Sequence, residues 1–135
     1  MTAGLAPSLV SGWFNTLRTT GNGGAAYSAV AGTYLQLHTG DPGAAGTSNI
    51  SVGSTTRNSF IFSSSSSGSS LSLGTPPSAW TNGGTSETIT HVSVWTASTA
   101  GTFLYSVALT TPQAWASGNQ YNQSTLTAAL TPQAA

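Results

Sequence analysis

Residues 87–97 read Glu87-Thr88-Ile89-Thr90-His91-Val92-Ser93-Val94-Trp95-Thr96-Ala97. Ile89, His91, Ser93 and Trp95 fall on one side of a period of two, and Thr88, Thr90, Val92, Val94 and Thr96 on the other. β-Branched and aromatic residues in that alternation fit a pleated strand and not a helix. Ser98-Thr99-Ala100-Gly101 supplies a turn, so residues 102–109 are the return strand of a hairpin. Pro112 has no N–H to give to a ladder and is expected to end that strand.

Working outward, Tyr34-Leu35-Gln36-Leu37-His38 repeats the alternation and runs into Thr39-Gly40-Asp41-Pro42-Gly43. Asp bonds its own backbone, Pro presets φ and Gly accepts positive φ, so this is a turn, followed by a polar loop to about Ser54. Residues 57–62 read as a strand with Phe60 and Phe62 on one face and Ile61 on the other. The serine run at 63–70 lies between strand-like Phe60-Ile61-Phe62 and Leu71-Ser72-Leu73, which makes it an exposed loop or edge strand within a domain. Pro76, Pro77 and Trp80 form an extended connection, and residues 121–130 alternate weakly as a last strand.

At the other end the period changes. Leu9, Trp13, Phe14 and Leu17 fall at helical spacing over residues 7–19, with Ser11, Asn15 and Arg18 largely away from that face. Pro7 suits the first helical turn, Gly12 weakens the helix by nearly ~1 kcal/mol, and Gly21-Asn22-Gly23-Gly24 stops it. The fold class that results is mainly β, an antiparallel β-sandwich or barrel-like domain with a short N-terminal helix. Residues 1–24 are the helical arm and residues 25–135 the β-rich domain.

Composition narrows what such a domain does. Arg18, Arg57, Asp41 and Glu87 are its formally charged side chains, 3% of the residues, and the net charge is zero. Ordinary domains carry about 25%. Two arginines cannot build the basic face that nucleic acid or an anionic membrane needs, so neither is an expected partner. A neutral chain lacks the self-repulsion that keeps monomers apart, which favours assembly into a homo-oligomer. Disorder does not follow, because 38% of residues are apolar and four are tryptophan. The first residues carry no basic segment ahead of an apolar one, so no signal peptide is expected. There is no cysteine for disulfides or thiolate metal sites.

Catalysis needs groups that exchange protons or hold metals. His38 and Asp41 with one of many serines could compose a Ser-His-Asp set, but no nucleophile-elbow motif accompanies them. His38 is better read as a strand-end residue and Asp41 as the opening of its turn. Glu87 and His91 share a strand face, yet at strand rise they stand roughly 13 Å apart, too far to share a metal unaided. No catalytic residue, metal or cofactor is expected. Trp95 belongs to the core by its place in the strand, whereas Trp80 and Trp115, after proline-containing connections, are the candidates for exposed anchors.

The stretch Leu35-Gln36-Leu37-His38-Thr39-Gly40-Asp41-Pro42-Gly43, with Gly46-Thr47-Ser48-Asn49 after it, resembles a family of small virion proteins from phages of actinobacteria. A second stretch agrees, Ile89-Thr90-His91-Val92-Ser93-Val94-Trp95-Thr96-Ala97 followed by Gly101-Thr102-Phe103-Leu104-Tyr105, and Arg57 in its Thr-Thr-Arg setting fits between them. The resemblance covers residues 33–109; the serine-rich insertion after Phe62 and the N-terminal helix depart from it. Members of that family are labelled capsid decoration (minor capsid) proteins or tail-fibre-like proteins, so the resemblance implies a virion role without catalysis.

The expectation that follows is a decoration protein that stabilises the phage head by binding assembled major capsid protein and copies of itself. Trp13, Phe14 and Leu17, with the tail from Thr110, are its expected contact surfaces. The alternative is a minor tail or tail-fibre-like protein with Trp80 and Trp115 as glycan contacts. A free carbohydrate-binding module is a third reading.

Overall fold

The computed structural model describes residues 4–18, 21, 24, 28–63 and 70–129. Most of the serine run, and the last six residues, therefore lie outside the described residues. Along the chain come α1 (Pro7–Asn15), β1 (Tyr34–His38), β2 (Asn58–Ser59), β3 (Ile61–Phe62), β4 (Ser70–Thr75) and β5 (Trp80–Thr81). They are followed by β6 (Glu87–Trp95), β7 (Phe103–Trp115), β8 (Gln120–Tyr121) and β9 (Thr127–Ala129). The architecture is mainly β, antiparallel and sandwich-like, with a short helix. Among the described residues no sheet closes into a barrel, so the sandwich is the form taken.

The principal sheet has the order β2-β1-β6-β7, with β3-β4-β9 and the pair β5-β8 beside it. β6 is one of its two interior strands: it pairs Leu37 with Val92 and Leu35 with Val94 across β1, and Val107 with Val92 and Tyr105 with Val94 across β7. One face of the sheet is thus apolar, and Leu35, Leu37, Val92 and Val94 have no exposed surface. The opposite face carries His38, Gln36, His91, Ser93 and Trp95. His38 and Ser93 on it are equally buried, because the loop after β1 folds over them. Period-two alternation therefore separates an apolar buried face from a hydrogen-bonded buried face, and not an inside from an outside.

The hairpin turn forms as its residues require. Ala100 (φ 52°) and Gly101 (φ 72°) take the left-handed region, and Thr102 N–H donates to Thr96 Oγ1 at 2.8 Å. The turn after β1 is also side-chain driven: Gly43 N–H donates to Asp41 Oδ1 at 2.8 Å, and Gly43 has φ 74°.

Three expectations are corrected. Pro112 does not end β7, which runs on to Trp115. β7 is the edge of its sheet, and its register against β6 shifts between Ile89 and His91, opposite Gln113 and Ala108. Pro112 sits within that bulge, where a missing N–H costs little. The strand expected at 57–62 is split: β2 joins β1 while β3 joins β4. Phe60 lies at the break, buried, with its ring edge-on to Phe62 at 4.9 Å, and Ile61 stays 63% exposed. The last strand is likewise two short pieces, β8 and β9, in different sheets.

The helix is also shorter than its periodicity. It ends at Asn15, where Thr16 Oγ1 donates to Trp13 O at 2.7 Å and the following N–H groups make tighter i→i−3 bonds. A β-branched hydroxyl that competes for the backbone thus stops the helix ahead of the glycines.

Candidate functional site

The arm before α1 is itself a strand in miniature. Ala6 N–H donates to Leu104 O at 2.7 Å, Ser106 N–H donates to Gly4 O at 2.9 Å, and Leu5 stands opposite Tyr105. These bonds satisfy the first part of the β7 edge. Pro7 then turns the chain into α1, laying the helix against the apolar face.

Leu9 is buried and Trp13 packs on the core, four residues apart on one helical stripe. Phe14 is 65% exposed and Leu17, beyond the last helical residue, 80% exposed. The three helix candidates thus divide. Trp13 holds the arm down, and Phe14 and Leu17 present apolar surface outward.

Beside Trp13 opens an apolar groove of about 650 Å³, bounded by Leu5, Leu9, Phe62, Leu71, Tyr105 and Val107 among others. Leu5 and Leu71 on its rim are partly exposed, and none of the described residues lining it is charged. The Tyr105 hydroxyl, closed to solvent, has no hydrogen-bond partner among the described residues, and burial pushes its pKa well above the ordinary tyrosine value. The tail expected from Thr110 is strand as far as Trp115; beyond it, residues 120–127 face β7 across a polar cleft of about 830 Å³.

Trp80 and Trp115 are not exposed anchors: each is only 2% accessible. Tyr121 lies between them, ring centroids 6.1 Å from each. Both indole N–H groups are satisfied internally, Trp80 by Thr56 O at 2.8 Å and Trp115 by Asn119 O at 2.9 Å. Burial raises the Tyr121 pKa to about 12. The cause of the correction is β5-β8 pairing, which sets Trp80 directly opposite Tyr121 and closes an aromatic cluster. A sugar-stacking platform of Trp80 and Trp115 is removed by that burial.

The charged side chains are mostly spent inside the fold. Glu87 accepts from the Ser51 hydroxyl, from Gly53 N–H at 3.0 Å and from Val52 N–H at 3.1 Å. A Cβ on Gly53 would fall 2.6 Å from Asn82 Oδ1 and 2.8 Å from Glu87 Oε1, so glycine is required by space. The Arg57 guanidinium stands 3.5 Å from the centre of the Trp95 ring and donates to Gln36 Oε1 and the carbonyls of Ala97 and Ala100. It ties the hairpin turn to β1, and burial lowers its pKa. Arg18 is exposed and reaches Asn15 Oδ1 at 3.5 Å.

His38 is held by two bonds. Its Nδ1 lies 2.8 Å from Ser48 O, an acceptor only, so that nitrogen carries the proton. Nε2 then accepts from Ser93 Oγ at 2.7 Å, and Ser93 Oγ accepts from Trp95 Nε1 at 2.8 Å. Asp41 Oδ1 instead faces Gly43 N–H, and neither His38 nor Ser93 has accessible surface. A nucleophile must reach its substrate, and this serine does not. His91 pairs directly across from His38, with Nδ1 2.8 Å from Thr90 Oγ1. Among the described residues, no three metal-ligating side chains gather.

Sequence reasoning missed Asn82, which is 1% exposed and joins the loop after β5 to the loop after β7. Its Nδ2 donates to Trp115 O and Thr85 O, its Oδ1 accepts from Gly84 N–H, and its backbone bonds Asn119 and Gly118. The one signal was Asn82-Gly83-Gly84, which announces a turn but not a buried one.

Residues 14–131 match a protein family, Gp80, described as podophage GP4 fiber I protein gp80. The matched span contains both stretches that carried the resemblance and begins near the end of α1. No curated protein matches the chain.

Proposed function

The chain belongs to the Gp80 family, podophage GP4 fiber I protein gp80, whose members are phage structural proteins, and we propose that it serves as a fibre-like subunit of the virion. The match over residues 14–131 carries this reading. The family description favours the fibre over capsid decoration; binding to assembled major capsid protein is kept as the alternative.

The proposed mechanism is packing, without catalysis. Copies of the chain and neighbouring virion proteins are its proposed partners, and Phe14 and Leu17 its proposed contacts. A neutral surface with an outward apolar pair suits burial against a partner that is itself uncharged. Nucleic acid and membrane are not among the proposed partners: of the two arginines Arg57 is turned onto Trp95, and Arg18 alone makes no basic face.

Replacing Phe14 and Leu17 together by serine tests the surface. Both are exposed, so the fold should keep its stability within about 0.5 kcal/mol per site. Oligomers measured by light scattering, and incorporation into particles, should fall at least tenfold. A double variant that assembles like the parent would remove Phe14 and Leu17 from the contact.

A further inference from the structure

We propose that the buried chain from Trp95 through Ser93 to His38 is an acid-released latch, in which a proton added to His38 Nε2 breaks the chain and frees the loop between Thr39 and Gly53 from the sheet.

The geometry fixes the direction of each bond. Trp95 Nε1–H can only donate, so Ser93 Oγ accepts from it and turns its own hydrogen to His38 Nε2. His38 Nδ1–H donates to Ser48 O on the loop. The loop returns to the same strand end: Thr39 N–H donates to Asn49 O at 2.9 Å, Ser51 N–H donates to Leu37 O at 3.0 Å, and Ile50 bridges His38. Neutral imidazole is therefore the form that satisfies Ser48 O on the loop and the Ser93 hydroxyl on the sheet at once.

A second proton makes Nε2 a donor, which meets the hydrogen of Ser93. Ser93 would have to accept twice and release its hydrogen toward no acceptor in this arrangement, in a site with no accessible surface. The surrounding charges offer no relief. His91 stands directly opposite on β6, and Arg57 before β2 is a cation that also disfavours a charged His38. Asp41, on the loop, directs Oδ1 to Gly43 N–H, and Glu87, four residues from His91 on β6, is engaged by Ser51, Val52 and Gly53. Desolvation by burial, reinforced by His91 and Arg57, holds the His38 pKa below its ordinary 6.5, although the Ser48 carbonyl works against it.

The sign follows. With the loop open and the ring in water, His38 regains a pKa near 6.5, above its value in the closed state. Between those two values the open state binds more protons, so acidification favours opening by up to about tenfold per pH unit. Above pH 6.5 the latch is fully closed, and below the closed-state pKa the effect levels off.

Amide hydrogen exchange on the whole protein, corrected for intrinsic rates, measures the opening. From pH 7.5 to 5, protection at Thr39 and Ser51 should fall by up to about tenfold per unit once below 6.5, while Val92 and Val94 in interior strand β6 keep theirs. The His38 imidazole nitrogen signals should titrate over the same interval. His38→Gln should abolish the dependence, and His91→Gln, which removes the facing imidazole but keeps the latch, should reduce it. Constant protection at Thr39 and Ser51 in the parent protein would overturn the latch. An unchanged acid response in His38→Gln would do so too, or in His91→Gln should the first variant not fold.

Discussion

Trp80→Ala is expected to remove about 3–5 kcal/mol of stability, the usual range for truncating a buried large aromatic. Trp80 is 2% exposed and stands in T-shaped contact with Tyr121, which meets Trp115 in the same way. Deleting the indole opens a cavity beside Tyr121, at one end of that cluster. It also takes the Nε1–H donor from Thr56 O, at the approach to Arg57. Edge-to-face aromatic contacts add about 0.5–1.5 kcal/mol beyond burial, so Tyr121 should loosen with it. Urea unfolding reads the loss directly. A deficit below about 1 kcal/mol would mean that the tryptophan is a surface residue, as its position after Pro76 and Pro77 had indicated.

Asn82→Asp changes almost no volume and should still cost at least about 3 kcal/mol at neutral pH. The amide nitrogen donates to Trp115 O at 2.9 Å and to Thr85 O at 3.1 Å. A carboxylate oxygen in its place faces two carbonyl oxygens, buried and without a donor. Gly84 N–H on the other oxygen recovers part of the loss. Burial and the two carbonyls raise the pKa of the new carboxyl above its unfolded value of about 3.9. The folded variant then binds more protons than the unfolded one in that interval. Relative to the parent protein at each pH, the deficit should therefore shrink as pH falls toward 4 and stay constant well above the raised pKa. A deficit independent of pH would place the cost elsewhere than in the charge.

The sheet was readable where the signal is local. Alternation at 34–38 and 87–95, the Asp41-Pro42-Gly43 turn and the turn ending in Gly101 each depend on residues within a few positions, and each forms as expected. What failed depends on residues far apart. Whether Pro112 breaks a strand depends on which neighbour lies on its other side, and β7 is an edge there. Whether Trp80 is exposed depends on Tyr121, distant in sequence, pairing across from it. Phe60 splits a continuous apolar run because two sheets compete for its neighbours.

The exposure of the proposed contact residues was half readable. Helical spacing grouped Trp13, Phe14 and Leu17, but an early stop at Thr16 turned Leu17 outward and left Trp13 on the core. The latch was out of reach of sequence, since His38 and Ser93 meet only through the register of β1 on β6.

Where the protein sits on the particle bears most directly on the account. Antibody fragments raised against the purified chain, imaged on whole phage by electron microscopy, should mark fibres or the tail end, at few sites per particle. Label spread over the faces of the head would contradict the fibre assignment and establish the capsid-bound role in its place; particles free of label would contradict a virion role altogether.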